Sequence, residues 1–144
     1  MTFKLLTSSA LALVIGLSTA PAMASGVNIQ QWGWANSAGG AQVGFNNQIG
    51  VFQNGWLNTG VAQQYGHHNT AAIGQNGVNN YADTWQNGHF NAAGVGQFGA
   101  NHTAVVTQDG NGNIAAGVQV GNGCNANVIQ GGSGNVAAFV QTCP

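Results

Sequence analysis

Phe90 to Gly121 reads FNAAGVGQFGANHTAVVTQDGNGNIAAGVQVG. Gln97, Gln108 and Gln119 are spaced by eleven residues, and each is followed two residues later by glycine, at Gly99, Gly110 and Gly121. The same step of eleven carries outward to Gln31, Gln42, Gln53, Gln64, Gln75 and Gln86 on one side and to Gln130 and Gln141 on the other. The accompanying glycines are Gly33, Gly44, Gly55, Gly66, Gly77, Gly88 and Gly132; only after Gln141 does another residue, Cys143, take the place. Five residues after each glutamine stands asparagine, at Asn36, Asn47, Asn58, Asn69, Asn80, Asn91, Asn113 and Asn135, with His102 and Cys124 as the exceptions. The unit is Q-x-G-x-x-N-x-A-x-x-x, and glutamine then returns.

An eleven-residue period also suits a right-handed helical coiled coil. Glycine in every unit opposes that reading, at about 1 kcal/mol each in a helix interior. Glycine suits a tight arc instead, where positive φ brings no side-chain clash. The remainder, N-x-A-x-φ-x-Q, alternates with period two, which describes a strand with one face inward. Strands are expected at 36–42, 47–53, 58–64, 69–75, 80–86, 91–97, 102–108, 113–119, 124–130 and 135–141, joined by four-residue arcs. SGVNIQQ at 25–31 fits the same rule, with Ser25, Val27, Ile29 and Gln31 inward, and makes eleven strands.

A lone strand cannot bury its inner face, but two consecutive strands folded face to face through an arc can. The fold class is therefore all-β: a two-sheet β-solenoid of 22-residue coils, strand–arc–strand–arc, with amyloid-like cross-β stacking at about 4.8 Å. The coils run 25–46, 47–68, 69–90, 91–112 and 113–134, with 135–144 as a partial coil. Across the core the expected facing pairs are Val51 with Ala62, Ile73 with Thr84 and Gly117 with Val128. Near-constant alanine two residues earlier lets the sheets approach closely, as in a dry zipper. The glutamines form two ladders, one per sheet, and the inward asparagines a second pair that ties down the arcs. A buried amide needs partners, and an identical residue in every coil supplies them without charge.

The chain has 144 residues, one Lys or Arg and two acids. Residues 1–24 read as a secretory signal peptide: Lys4, the apolar LLTSSALALVIGL, then AMA before Ser25. The mature part, 25–144, then holds Asp83 and Asp109 and no basic side chain. That opposes nucleic acid as a partner, because phosphate binding depends on Lys and Arg. It also leaves little for acid–base catalysis; no nucleophile–base–acid set is visible, and no enzyme, cofactor or metal site is expected. After the leader no stretch is long and apolar enough for membrane insertion.

This unit closely resembles the curlin repeat over essentially all of Ser25 to Gln141. Curlins are subunits of curli, the functional amyloid fibres of bacterial biofilms. The resemblance implies a structural subunit that polymerises with itself end to end into an extracellular, cell-surface fimbrium serving adhesion. It also implies partners: a nucleator subunit, an outer-membrane secretion pore and accessory chaperones. By the family's pattern the inward glutamines and asparagines drive assembly. The chain departs from the family's major subunits in lacking a non-repeat segment after the leader, and its first unit, NSAGGAQ at 36–42, is weak. The nucleating subunit usually carries basic residues in its last repeat; their absence here points to the fibre-forming role. The alternatives are that nucleating subunit, or a monomeric adhesin or ice-binding solenoid. A regular threonine array, which ice binding would require, is missing.

His67 and His89 lie 22 residues apart, in one arc of adjacent coils, where stacked, solvated rings are expected. His102 falls inward between Asn80 and Cys124, as an asparagine substitute. Trp34 and Trp56 share an edge. Cys124 and Cys143 meet at one edge in adjacent coils, where a disulfide can form in an exported protein.

Overall fold

A computed structural model describes residues 26–144; the expected leader 1–24 and the inward Ser25 lie outside the described residues. Eleven strands follow one another: β1 Val27–Trp34, β2 Ser37–Phe45, β3 Gln48–Trp56, β4 Thr59–His67, β5 Thr70–Val78, β6 Tyr81–His89, β7 Ala92–Ala100, β8 Thr103–Asn111, β9 Ile114–Asn122, β10 Asn125–Ser133 and β11 Val136–Cys143. Odd strands form one sheet in the order β1-β3-β5-β7-β9-β11, and even strands the other, β2-β4-β6-β8-β10. Neighbours in each sheet are parallel and in register at a spacing of 22 residues, as in Gln53↔Gln75 and Gln64↔Gln86. The result is the two-sheet β-solenoid that the eleven-residue period calls for. Among the described residues no helix is long and apolar enough to cross a membrane.

The strands differ from the expected seven-residue strand and four-residue arc: inner strands run nine residues, and only two residues separate one from the next. Hydrogen bonds in a solenoid run along the stacking axis, so the backbone stays paired while it bends. Gly44 still pairs with Gly66, and Phe45 with His67. Each bend has two hinges. The first is the glycine after glutamine, with φ of 119° at Gly55 and 115° at Gly88. The second, two residues on, is left-handed at Ala35, Asn46, Leu57, His68, Asn79, Phe90 and Asn101, and is glycine at Gly112, Gly123 and Gly134. A left-handed alanine, leucine or phenylalanine costs roughly 1–2 kcal/mol. The conformation holds because these amides are fixed by the coil before, as in Leu57 N–H to Trp34 O at 3.0 Å and Phe90 N–H to His67 O at 3.0 Å.

The core is a narrow column of Ile49, Val51, Ala62, Ala71, Ile73, Ala82, Ala93, Val95, Ala104, Val106 and Ala115. Large meets small across it, but with an offset from the expected pairs. A Cβ at Gly60 would lie 3.1 Å from a Val51 methyl, and one at Gly40 3.4 Å from an Ile49 methyl. The inward residue two before glutamine thus packs on the residue four before glutamine in the facing sheet, so Val51 finds Gly60 in place of Ala62. Antiparallel strands offset by the length of the bend produce this shift. At the N-terminal end of the described residues Val27 and Ile29 point inward yet stay 47% and 40% exposed, with no described coil stacked before β1.

Candidate assembly site

Glutamine lies at the inner edge of each strand, just before the glycine hinge, where the alternation turns it inward. In one sheet Nε2 donates to the next Oε1 along Gln31, Gln53, Gln75, Gln97, Gln119 and Gln141, at 2.6 to 2.9 Å. In the other the ladder runs Gln42, Gln64, Gln86, Gln108 and Gln130, at 2.7 to 2.9 Å. Every amide donates toward the C-terminal coil. From Gln42 onward another N–H of each amide crosses the core to a backbone carbonyl sixteen residues back, as in Gln53 to Ser37 O at 2.8 Å and Gln97 to Tyr81 O at 2.8 Å. Glutamine therefore ties coil to coil and sheet to sheet at once. The cross-core bond has no signature in the sequence, because it depends on the offset between sheets.

Asparagine opens each strand and works at the opposite edge. Asn47 Oδ1 accepts the backbone N–H of Asn69, 22 residues on, at 3.0 Å. Its Nδ2 donates to Gly66 O, 19 residues on, at 2.8 Å. The same pair of bonds recurs at Asn69, to Asn91 N–H and Gly88 O. The asparagines from Asn36 to Asn113 thus clasp the bend of the following coil.

Glycine after glutamine is dictated by the stack itself. A Cβ on Gly66 would fall 2.0 Å from the carbonyl oxygen of Gly88, and one on Gly88 2.0 Å from that of Gly110. Gly132, with no such coil beyond it, has only Asn135 Nδ2 near its Cβ position, at 3.9 Å.

The two exceptions to asparagine keep its function. His102 is fully buried; its Nδ1 accepts Cys124 N–H at 3.2 Å and its Nε2 lies 3.2 Å from Phe98 O. Together these contacts require a neutral ring protonated on Nε2, the imidazole counterpart of asparagine's acceptor and donor. His102→Asn should therefore preserve fibre growth, while His102→Leu, which orphans Cys124 N–H, should slow it at least tenfold; nitrogen chemical shifts in solid-state NMR should report the Nε2–H tautomer. Cys124 is bonded to Cys143, nineteen positions on, with Cα atoms 5.6 Å apart. Nineteen is the asparagine-to-glycine interval, so the disulfide stands where an asparagine clasp would lie.

The arcs carry aromatic columns. His67 and His89 stack at 4.9 Å, and His67 Nδ1 also accepts Phe45 N–H. His68 and Phe90, both left-handed, stack at 4.8 Å, a contact that spacing alone did not single out. Trp34 and Trp56 are paired in register and exposed. On the outer face of the five-stranded sheet, burial raises the Asp83 carboxyl above its usual range, partly opposed by the Tyr81 hydroxyl; burial, and then Asp83's charge, raise Tyr81. The outer face of the six-stranded sheet bears a shallow apolar trough over Gly50, Ala72, Gly94 and Ala116, flanked by Phe52 and Val118. Among the described residues no group of three or more His, Cys, Asp or Glu is placed to hold a metal.

Residues 77–110 match the family model described as curlin associated repeat. The matched stretch contains Gln86, Gln97 and Gln108 and the His102 substitution. No curated protein matches the chain.

Proposed function

From the curlin-repeat match at residues 77–110 we propose that the chain is a secreted structural subunit that assembles end to end into curli-type amyloid fibres of a bacterial biofilm matrix. The inward glutamines and asparagines are the assembly residues, and the work of the protein is mechanical, with no chemistry of its own. The observation that carries this reading is that, among the described residues, both ladders run to the ends of the solenoid without a cap. Gln130 and Gln141 each donate once, to Ile114 O and Asn125 O, where inner glutamines donate twice. At the other end Gln42 Oε1 is buried without a hydrogen-bond partner. Unpaired strand edges of this kind invite another chain. A nucleator subunit, an outer-membrane pore and chaperones complete the proposed system, and the lack of basic residues in the last repeat favours the fibre-forming over the nucleating role.

The test uses purified chain 25–144 with its disulfide intact. Thioflavin fluorescence should rise after a lag, electron microscopy should show unbranched fibres, and fibre diffraction should give a meridional reflection near 4.7–4.8 Å. A chain that stays monomeric for days at micromolar concentration overturns the proposal.

A further inference from the structure

We propose that successive subunits join head to tail with a half-turn about the fibre axis, so that β1 of one copy lies on β10 of the preceding copy and β2 on β11. This deepens the fibre reading and rests on it. Three observations carry it.

The first is the strand count. The eleven described strands place six in one sheet and five in the other, so the C-terminal end is a step, with β11 one strand-level beyond β10. The next copy's β1 fills that step only if its six-stranded sheet continues the preceding copy's five-stranded sheet. Strands in the two sheets run in opposite directions, and a half-turn about the stacking axis reverses direction, so all new neighbours remain parallel. Without the half-turn, β1 would sit on β11 and one strand-level in the five-stranded sheet would stay empty.

The second is side-chain size. Phe139, inward on β11, lies over Gly117: a Cβ there would be 1.9 Å from its ring. Rotated stacking puts Gly40 of the next copy on the other side of Phe139, so the ring sits between two glycines. It also places Ile29 on Val128, continuing the column Thr84↔Val106↔Val128. Unrotated stacking sets Ile29 directly on Phe139, and two bulky side chains then compete for one level.

The third is the glutamine ladder. Gln42 Oε1 lacks a donor, and rotated stacking brings it the spare Nε2–H of Gln141. Gln31 likewise meets Gln130. Because the ladder amides point toward the C-terminal end, only head-to-tail contact pairs donors with acceptors; two N-terminal ends would oppose acceptor to acceptor, and two C-terminal ends donor to donor.

Cryo-electron microscopy of fibres from the unaltered chain should show one subunit per rise of about 26 Å, half of eleven strand spacings, each turned by roughly half a revolution from the last. A rise near 29 Å without the half-turn, or subunits alternating in direction, overturns the proposal. Two double variants give an independent reading. Ala41→Cys with Val140→Cys should form oxidised multimers within fibres, since rotated stacking sets these outward residues side by side. Gln30→Cys with Val140→Cys should not; the reverse result sinks the rotated interface while leaving the fibre reading intact. Failure of the unaltered chain to form fibres overturns both.

Discussion

Gly88→Ala is expected to abolish fibre growth, while Gly94→Ala, six residues away, leaves lag time and growth rate within twofold of the parent. Gly88 has φ of 115°, and its Cβ would meet the Gly110 carbonyl oxygen at 2.0 Å. The left-handed penalty alone is roughly 1–2 kcal/mol. The clash adds more, because the atom in the way is backbone and belongs to a coil pinned on both sides. Relief would require the coils to part locally, which would stretch the Asn69 bond to Gly88 O and the pairing of β6 with β8. Gly94 faces outward with nothing within 4 Å of its Cβ position, and its column neighbours Ala72 and Ala116 already carry methyl groups. Thioflavin kinetics of the two variants at equal concentration make the comparison. Equal growth of both would mean that the Gly88 bend is far looser than its stacked geometry indicates.

The contrast marks how far sequence alone could reach. In a parallel in-register stack, residues 22 apart are neighbours by construction, so the membership of every column, from Gln108 on Gln130 to His67 on His89, is legible from the spacing. The demand for glycine at position 88 is legible as well, although its cause, a carbonyl in the next coil, is not. What the spacing could not supply lies perpendicular to the stack. The offset between facing sheets decides that Val51 meets Gly60 and that Gln97 reaches Tyr81 O. The second hinge was hidden because Leu57 and Phe90 have no local preference for the left-handed region; the ladder imposes it on them. Thr84 shows the opposite limit. Its column position between Ala62 and Val106 follows from the repeat, but nothing in the repeat reveals that its buried hydroxyl finds no partner.

The glutamine ladders yield the other large effect. Gln86→Leu should lower the guanidinium midpoint of fibre dissociation and lengthen the lag at least tenfold, whereas Gln63→Leu, outward on β4, should do neither. Gln86 is fully buried, donates to Gln108 Oε1 at 2.8 Å and Thr70 O at 3.0 Å, and accepts from Gln64 Nε2 at 2.7 Å. Leucine has nearly the same bulk but strands one donor and two acceptors in the core. Each stranded group costs about 1–3 kcal/mol, only partly offset by the added apolar burial. Gln86→Glu separates hydrogen bonding from size. As a carboxylate it still accepts from Gln64, yet it turns negative charge toward Thr70 O and Gln108 Oε1, so growth should fail at neutral pH. Protonation restores one O–H donor and removes the charge, so growth should recover in part as the pH is lowered. The parent, with an uncharged amide at this place, sets the baseline for the same pH series. If Gln86→Glu grows as well at neutral pH as in acid, the amide is not holding two coils and two sheets together through its N–H groups.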